Sequence, residues 1–316
     1  MSLPVIQAKG LFLIGDPHVA DSSPGQRLPG YCEQIMGKLR ACLDRAEETG
    51  MVPVILGDLF HWPRDNSNSL IVELIELFRK VRPWVLVGNH DKYQARLTTD
   101  VSMAVLVSAG VVRLMQTAGP QFELQTPEGS VLICATPDGS KLPSLFQRDD
   151  QSPEKVIWLA HHNIRFSEFL DRAQRIKELP GVDWLINGHI HRPQPTVTTG
   201  QTTWANPGNI TRLTFSRRSK EREPAAAIWT WGCEDLARWV VPHLPFYDVF
   251  PNQDFPPEQE AQDRESLFME GLERLAWRRT QEGTGLKEFL QINLNPELPE
   301  SRLIWELYQE VVREQH

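Results

Sequence analysis

The sequence predicts an α/β fold in which β-sheets are covered by helices, and three observations carry that expectation. Over the first 240 residues, short apolar runs alternate with longer segments whose apolar positions recur at helical spacing. Further along, this alternation gives way to short strand-like runs separated by Gly and Pro turns, the pattern of hairpins. The 316 residues are 41% hydrophobic, with ten Trp and thirteen Phe, which is enough for one large core and an appendage.

The elements follow in order. LFLIG (11–15) is a short apolar run, hence a buried strand. Ile35, Met36, Leu39, Leu43 and Ala46 make 31–49 an amphipathic helix, ended by Gly50. VPVIL (52–56) is the next strand. Leu70, Ile71, Leu74, Ile75 and Phe78 define a second helix, WVLV (84–87) a strand, and Val101–Ala109 a third helix. VVRLM, FELQ and VLICAT then read as short strands, KVIWLA (155–160) as another, 166–178 as a helix and VDWLI (182–186) as a strand. TTWAN, AAAIWTW and ARWVV suggest a final antiparallel set. Residues 241–260 hold five prolines and read as a linker or extended wrap. Beyond them, 261–280 and 301–314 are helix-like and acidic, which divides the chain into a domain at 1–240, a Pro-rich linker at 241–260 and an acidic helical extension at 261–316. Leu267, Phe268, Leu272, Leu275 and Ala276 lie at helical spacing in that extension, a stripe for packing on the main domain or for docking a partner.

The net charge of −8 is unevenly placed. Residues 246–316 hold 7 Lys/Arg against 15 Asp/Glu, leaving 26 against 26 in the first 245. An acidic tail is no nucleic-acid arm, but a balanced main domain does not exclude a phosphate-rich substrate. No apolar run reaches the roughly 18 residues of a membrane span. No basic, apolar leader opens the chain, so a cytoplasmic protein is expected. Cys32, Cys42, Cys134 and Cys233 lack C-x-x-C spacing, which points to buried thiols rather than a zinc ribbon.

Five short blocks carry the chemistry: GDPH (15–18), GDLFH (57–61), GNHD (88–91), HHN (161–163) and GHIH (188–191). Four follow an apolar run, and the fifth carries a turn glycine ahead of its histidines. Residues i and i+2 at a strand end point the same way, so Asp16 with His18, and His189 with His191, can each face one ion. Asp58 is suited to bridge two ions, and Asn89 offers a neutral carbonyl oxygen. Oxygen and imidazole donors without Cys suit Mn, Fe or Zn, with Ni also tolerated, rather than Ca or a thiolate site. Two such ions about 3.5–4 Å apart clamp a phosphate and activate water for in-line attack. His90 then serves either as acid for the leaving oxygen or to stabilise the equatorial charge, with Asp91 beside it to orient the ring. His161 is preferred to His162 as a ligand because it comes first after its strand.

Other residues are weaker signals. His61 serves either as a capping or packing residue or as a site residue. Asn206-Pro207-Gly208-Asn209 reads as a turn. Arg212, Arg217, Arg218, Lys220 and Arg222 form either a phosphate contact, which would enlist Arg212 and Asn209 for substrate, or a solvated hairpin diluted by Glu221 and Glu223. His243 and His316 stand alone.

Taken together, the blocks resemble the calcineurin-like metallophosphoesterase superfamily: D-x-H, G-D, G-N-H-[DE], H and G-H-x-H across residues 16–191. The resemblance implies a four-layer α/β sandwich of two mixed sheets flanked by helices. It implies that Asp16, His18, Asp58 and His191 hold one divalent ion, and Asp58, Asn89, His161 and His189 a second. Within the superfamily, GDLFH is similar to the SbcD-like DNA-repair exonucleases, where the histidine three after the bridging Asp assists catalysis. That implies a Mn2+-dependent nuclease acting on DNA, with an ATPase partner reached through the C-terminal extension. The rivals are an enzyme of the same fold acting on cyclic nucleotides or other small phosphoesters, and a non-catalytic scaffold with a docking tail.

Overall fold

Leu11 and Leu13 face one core and Phe12 and Ile14 another, and all four are fully buried. A strand with both faces covered belongs in the middle of a layered α/β structure. The computed structural model describes residues 3–93, 96–149, 152–166, 174–255, 301–302 and 304–305. The chain divides into two units, Met1–Phe255 and Pro256–His316. In the second, Ser301, Arg302, Ile304 and Trp305 are helical, and the stripe from Leu267 to Ala276 lies outside the described residues.

The first unit begins with β1 (Val5–Gln7) and β2 (Gly10–Ile14). It continues as α1 (Tyr31–Thr49), β3 (Val52–Ile55), α2 (Asn68–Phe78), β4 (Trp84–Leu86), α3 (Ser102–Ser108) and β5 (Arg113–Met115). Each helix starts and stops for local reasons. Gly50 takes φ 68° and its N–H returns to Glu47 O, closing α1. Ser67 Oγ accepts the Leu70 N–H at 3.2 Å and caps α2. The chain then runs through β6 (Gly119–Gln125), β7 (Ser130–Thr136), β8 (Lys155–Ala160), β9 (Ile164–Arg165), β10 (Gln174–Arg175) and β11 (Trp184–Asn187). It ends with β12 (Gln194–Thr199), β13 (Thr202–Asn206), α4 (Arg217–Glu221), β14 (Ala225–Thr230), β15 (Ala237–Val240) and α5 (Phe246–Val249).

Two mixed sheets result, flanked by helices. One has six strands in the order β15-β14-β2-β3-β4-β5, parallel from β2 to β5. The other has seven, β1-β6-β7-β8-β11-β13-β12, parallel from β7 through β13. Their facing sides share a core of Leu13, Val54, Leu86, Phe122, Ile133, Ile157, Ile186 and Trp229. The helices α1, α2 and α3 cover the outer face of the six-stranded sheet through Ile35, Leu39, Leu74 and Leu106. All five sequence blocks leave the carboxyl ends of parallel strands (β2, β3, β4, β8 and β11), where ligands bind in open α/β sheets.

Three expectations change. The final strands are not one antiparallel set: β12 and β13 join the seven-stranded sheet, and β14 and β15 the six-stranded one. The helix expected at 166–178 is absent at its described ends, because Gln174–Arg175 pairs as a strand with Ile164–Arg165; residues 167–173 lie outside the described residues. Of the two readings of 241–260, the first part follows the extended wrap and not the linker: Phe246, Val249 and Phe250 bury against Phe215. Aromatic anchors among the prolines override their loop signal.

The basic cluster also has an unforeseen use. Arg212 gives its guanidinium to the carbonyls of Ser219, Arg222 and Leu244, and Arg222 gives its own to His191, Asn209 and Thr211. Lys38 Nζ donates to Ile210 O at 3.1 Å, and Arg27 to Arg212 O. These side chains tie down the irregular segment after β13, whose carbonyls would otherwise be buried unpaired.

Candidate metal centre

The site grows from backbone strain. Among the described residues, five outside glycine have positive φ: Asp16 (33°), His18 (51°), Asp58 (48°), His189 (68°) and Arg82 (49°). Four of them belong to the sequence blocks. Asp and His tolerate this region better than most residues, and such strain persists where the surroundings over-determine it. The expected i, i+2 pairing also changes: Asp16 and His18 lie in left-handed loop backbone, Asp16 contacts His161 and His189, and His189 and His191 fall in different ligand groups.

Glycines let the loops close together. A Cβ on Gly57 would lie 2.1 Å from His161 Nδ1, and one on Gly88 would lie 2.0 Å from Asp58 Oδ1. Asp91 ties two blocks together: its carboxylate accepts the Gly88 N–H at 2.9 Å and the Phe60 N–H at 3.2 Å. It is therefore a brace between loops. The partner that orients His90 is the His61 carbonyl, 2.9 Å from His90 Nδ1.

Two groups of ligand atoms emerge, sharing Asp58. In the first, His18 Nε2 lies 2.9 Å from His191 Nε2 and 3.7 Å from Asp58 Oδ2. In the second, His161 Nε2 lies 3.3 Å from Asp58 Oδ2 and 3.2 Å from Asn89 Oδ1, which in turn is 2.9 Å from His189 Nδ1. Asp16 borders the second group, its Oδ1 accepting the His189 N–H at 2.9 Å and lying 3.6 Å from His161 Nδ1. The ring nitrogens of His18, His61 and His90 form a third group on the open side. His162 joins none of these; its backbone pairs with Asn187, away from the other ligands.

Tautomers decide what the second group can hold. His161 Nδ1 donates to Leu56 O at 2.8 Å, and His189 Nε2 donates to Asn163 Oδ1 at 3.0 Å. His189 presents its Nδ1 lone pair to Asn89 Oδ1. Burial alone would lower His161, but Asp58 and Asp16 outweigh it and push the ring up to about 10, so a proton on His161 Nε2 sits between Asp58 Oδ2 and Asn89 Oδ1, the place a cation would take. A cation resolves such a cluster, and the outward donor bonds are those that set ligating imidazoles. Asn163 was not singled out in the sequence, although it stands two residues after His161.

Electrostatics agree with that chemistry. Burial holds His189 and His191 down to about 3 and His18 well below its ordinary range, so all three present lone pairs. Burial alone would raise Asp58, but His161, His90 and His18 together outweigh it and hold the carboxyl well below the usual range. Burial, with Asp58 nearby, pushes Asp16 up to about 7, and its Oδ2 is buried without a hydrogen-bond partner. That orphaned oxygen and the converging acceptors fit divalent cations. Asp16, His18, Asp58 and His161 are fully buried, whereas Asn89, His90, His61, His189 and His191 are partly exposed, so the centre opens on their side.

Of the residues expected to touch substrate, Arg212 is spent on carbonyls. Asn209 lies buried beside the centre, with its N–H on His191 O and neither amide atom of its side chain paired.

A family model described as calcineurin-like phosphoesterase matches residues 11–193. No curated protein matches. Among solved structures, the chain is similar to a 5'-nucleotidase precursor from Thermus thermophilus (15% identity, TM-score 0.38, covering 69% of this chain and 50% of that one). It is also similar to a hypothetical protein from the same organism (13%, TM-score 0.40, 73% and 99%). A third likeness is to a conserved uncharacterized protein, a predicted phosphoesterase, from Streptococcus pneumoniae (12%, TM-score 0.30, 71% and 83%). The chain spans about half the length of the first of these. Likenesses this distant say nothing of substrate.

Proposed function

The chain belongs to the calcineurin-like phosphoesterase family, and from that premise we propose that it is a dinuclear metal-dependent phosphodiesterase whose substrate is DNA. Asp16, His18, Asp58 and His191 would hold one ion, and Asp58, Asn89, His161 and His189 the other, with Mn2+ the first candidate. When bound, such ions neutralise the phosphate and lower the pKa of water.

The observation that carries the diesterase reading is the pair of histidines at the open side. His61 and His90 stack at 5.6 Å between ring centroids, and both pack edge-on against His18. His18 Nε2 points into the ligand group, so its Nδ1 carries the proton and faces His61 Nδ1 at 3.3 Å. His61 then holds its own proton on Nε2. Burial keeps its pKa down to about 4, making it a neutral hydrogen-bond donor to a phosphate oxygen. His90, fixed through its Nδ1–H, is the acid in its imidazolium form, giving the Nε2 proton to the departing oxygen and leaving a neutral ring. An alkoxide leaving group, as in a nucleic-acid diester, needs that proton.

The likeness of GDLFH to SbcD-like exonucleases favours DNA and, with it, an ATPase partner docked on the C-terminal extension. One observation favours the rival enzyme for nucleotides and small phosphoesters: Arg212 and Arg222 are turned to backbone carbonyls rather than offered as a track for a polyanion. The test is hydrolysis by metal-stripped protein reconstituted with Mn2+. Substrates are end-labelled single- and double-stranded DNA, an aryl phosphodiester and cyclic nucleotides, with Asp58→Asn as control. DNA cleavage that vanishes in the control supports the nuclease; turnover of small esters alone transfers the assignment to the rival.

A further inference from the structure

We propose that Trp62 is a stacking platform for a nucleobase of the substrate, a subsite adjoining the metal centre. The proposal rests on the reading of the substrate as a nucleotide phosphodiester and names the part of it, besides the phosphate, that the protein grips. Trp62 is 37% exposed, and among the described residues it is the tryptophan counted with the exposed large apolar side chains. Trp84, Trp158, Trp184, Trp204 and Trp229, by contrast, are buried in the cores. An indole left in water beside the centre forgoes the burial that those five gain.

Its position is specific. The ring packs edge-on against His61, centroids 4.6 Å apart at 75°, and His61 packs in the same manner against the ligand His18. Trp62 is therefore two ring contacts from a ligand of the candidate metal pair, on the side where the centre opens. In a nucleotide the base is one sugar removed from the phosphate, so a phosphate held at the centre brings a base into reach of this ring.

The platform is also fixed. Trp62 O accepts Asn66 Nδ2 at 2.7 Å, Asn66 Nδ2 reaches Ser102 Oγ at 2.9 Å, and Pro63 O accepts the Ser102 N–H at 2.7 Å. The segment is thereby tied to the start of α3, and a ring whose backbone is already ordered loses less entropy on binding. Its sequence neighbours Arg64, Asp65 and Asn66 are polar and at least partly exposed, so it is a lone aromatic in a polar rim and not part of an apolar patch for a lipid chain. The nearby Tyr93 ring is already covered by the Arg64 guanidinium, 3.3 Å from its centroid. A flat ligand with a π-face and polar edges suits that setting.

The experiment compares wild type, Trp62→Ala and Trp62→Phe on two matched pairs. One is a single-stranded oligonucleotide and its counterpart with an abasic residue beside the scissile bond. The other is a cyclic nucleotide and an aliphatic phosphodiester. Wild type should prefer the base-bearing member of each pair it hydrolyses. Trp62→Ala should reduce that preference roughly 10-fold through KM, and Trp62→Phe should restore most of it. An unchanged preference in Trp62→Ala, or equal loss on both members, overturns the platform. Inhibition of wild type provides a check that needs no variant: adenosine 5'-monophosphate should inhibit aryl phosphodiester hydrolysis roughly 10-fold more tightly than ribose 5-phosphate. Equal inhibition by the two overturns the proposal. If wild type leaves DNA intact but hydrolyses cyclic nucleotides, the DNA reading fails and the platform is judged on the second pair.

Discussion

His90 donates through Nδ1 to the His61 carbonyl and belongs to neither ligand group that shares Asp58. His90→Ala should therefore retain both ions by metal analysis while kcat falls on the order of 10²- to 10⁴-fold, the range for loss of a general acid. Metal loss in that variant would instead make His90 a ligand. A second residue-scale test concerns Lys38. Burial, with Arg27, Arg212 and Arg222 nearby, holds its pKa down to about 7 in the folded chain. The unfolded chain thus binds one more proton between about pH 7 and the ordinary lysine value near 10.4, so this group makes stability rise with pH across that window. Below pH 7 the penalty is fully present. Lys38→Met should flatten the rise and, with similar volume, stabilise the protein at pH 7 by on the order of 1 kcal/mol after losing the Ile210 contact. Denaturant melts at pH 7 and 9 read both effects, and a variant that is less stable at pH 7 would show that the carbonyl bond outweighs the buried charge. At this scale the sequence identified the block residues, but it misjudged Asp91 and Arg212. Which backbone group a carboxylate or guanidinium meets depends on loops distant in the chain.

At the scale of elements, the loops after β3 and β4 are closed by contact rather than by regular structure. The Gly88 α-carbon has no room for a methyl group beside Asp58. Gly88→Ala should therefore displace the Asp58 carboxylate and lower metal affinity at least roughly 10-fold, as when a supporting contact of a ligand is lost, with the sheets intact by circular dichroism. Metal binding equal to wild type would show that the loop yields at little cost. The helices and parallel strands were legible because their apolar periodicities were strong: α1 spans Tyr31–Thr49 as its spacing implied. The short pairs β1, β9, β10 and β12 were not, since a strand of two or three residues, or one with polar positions, carries no periodic signal.

At the scale of the whole molecule, the segment expected to be a linker contributes Phe246, Val249 and Phe250 to an aromatic cluster with Phe215, so it forms part of the first unit. Deletion of residues 261–316 keeps that cluster. If the extension is a docking element, the truncated protein should stay soluble and hydrolyse a small diester within about 2-fold of the full chain, a change worth under 1 kcal/mol. Insoluble protein would mean that the extension packs on the catalytic unit. The sequence by itself determined the strand-and-helix order of the parallel strands and which ligand-type residues follow them, because periodicity and residue chemistry are local properties. Only the tertiary structure decided which ring nitrogens meet at Asp58, that Asp91 braces loops and that Arg212 and Arg222 turn inward. It also decided that Trp62 lies exposed beside His61. Those facts depend on how the carboxyl ends of two sheets meet, and no window of sequence contains both.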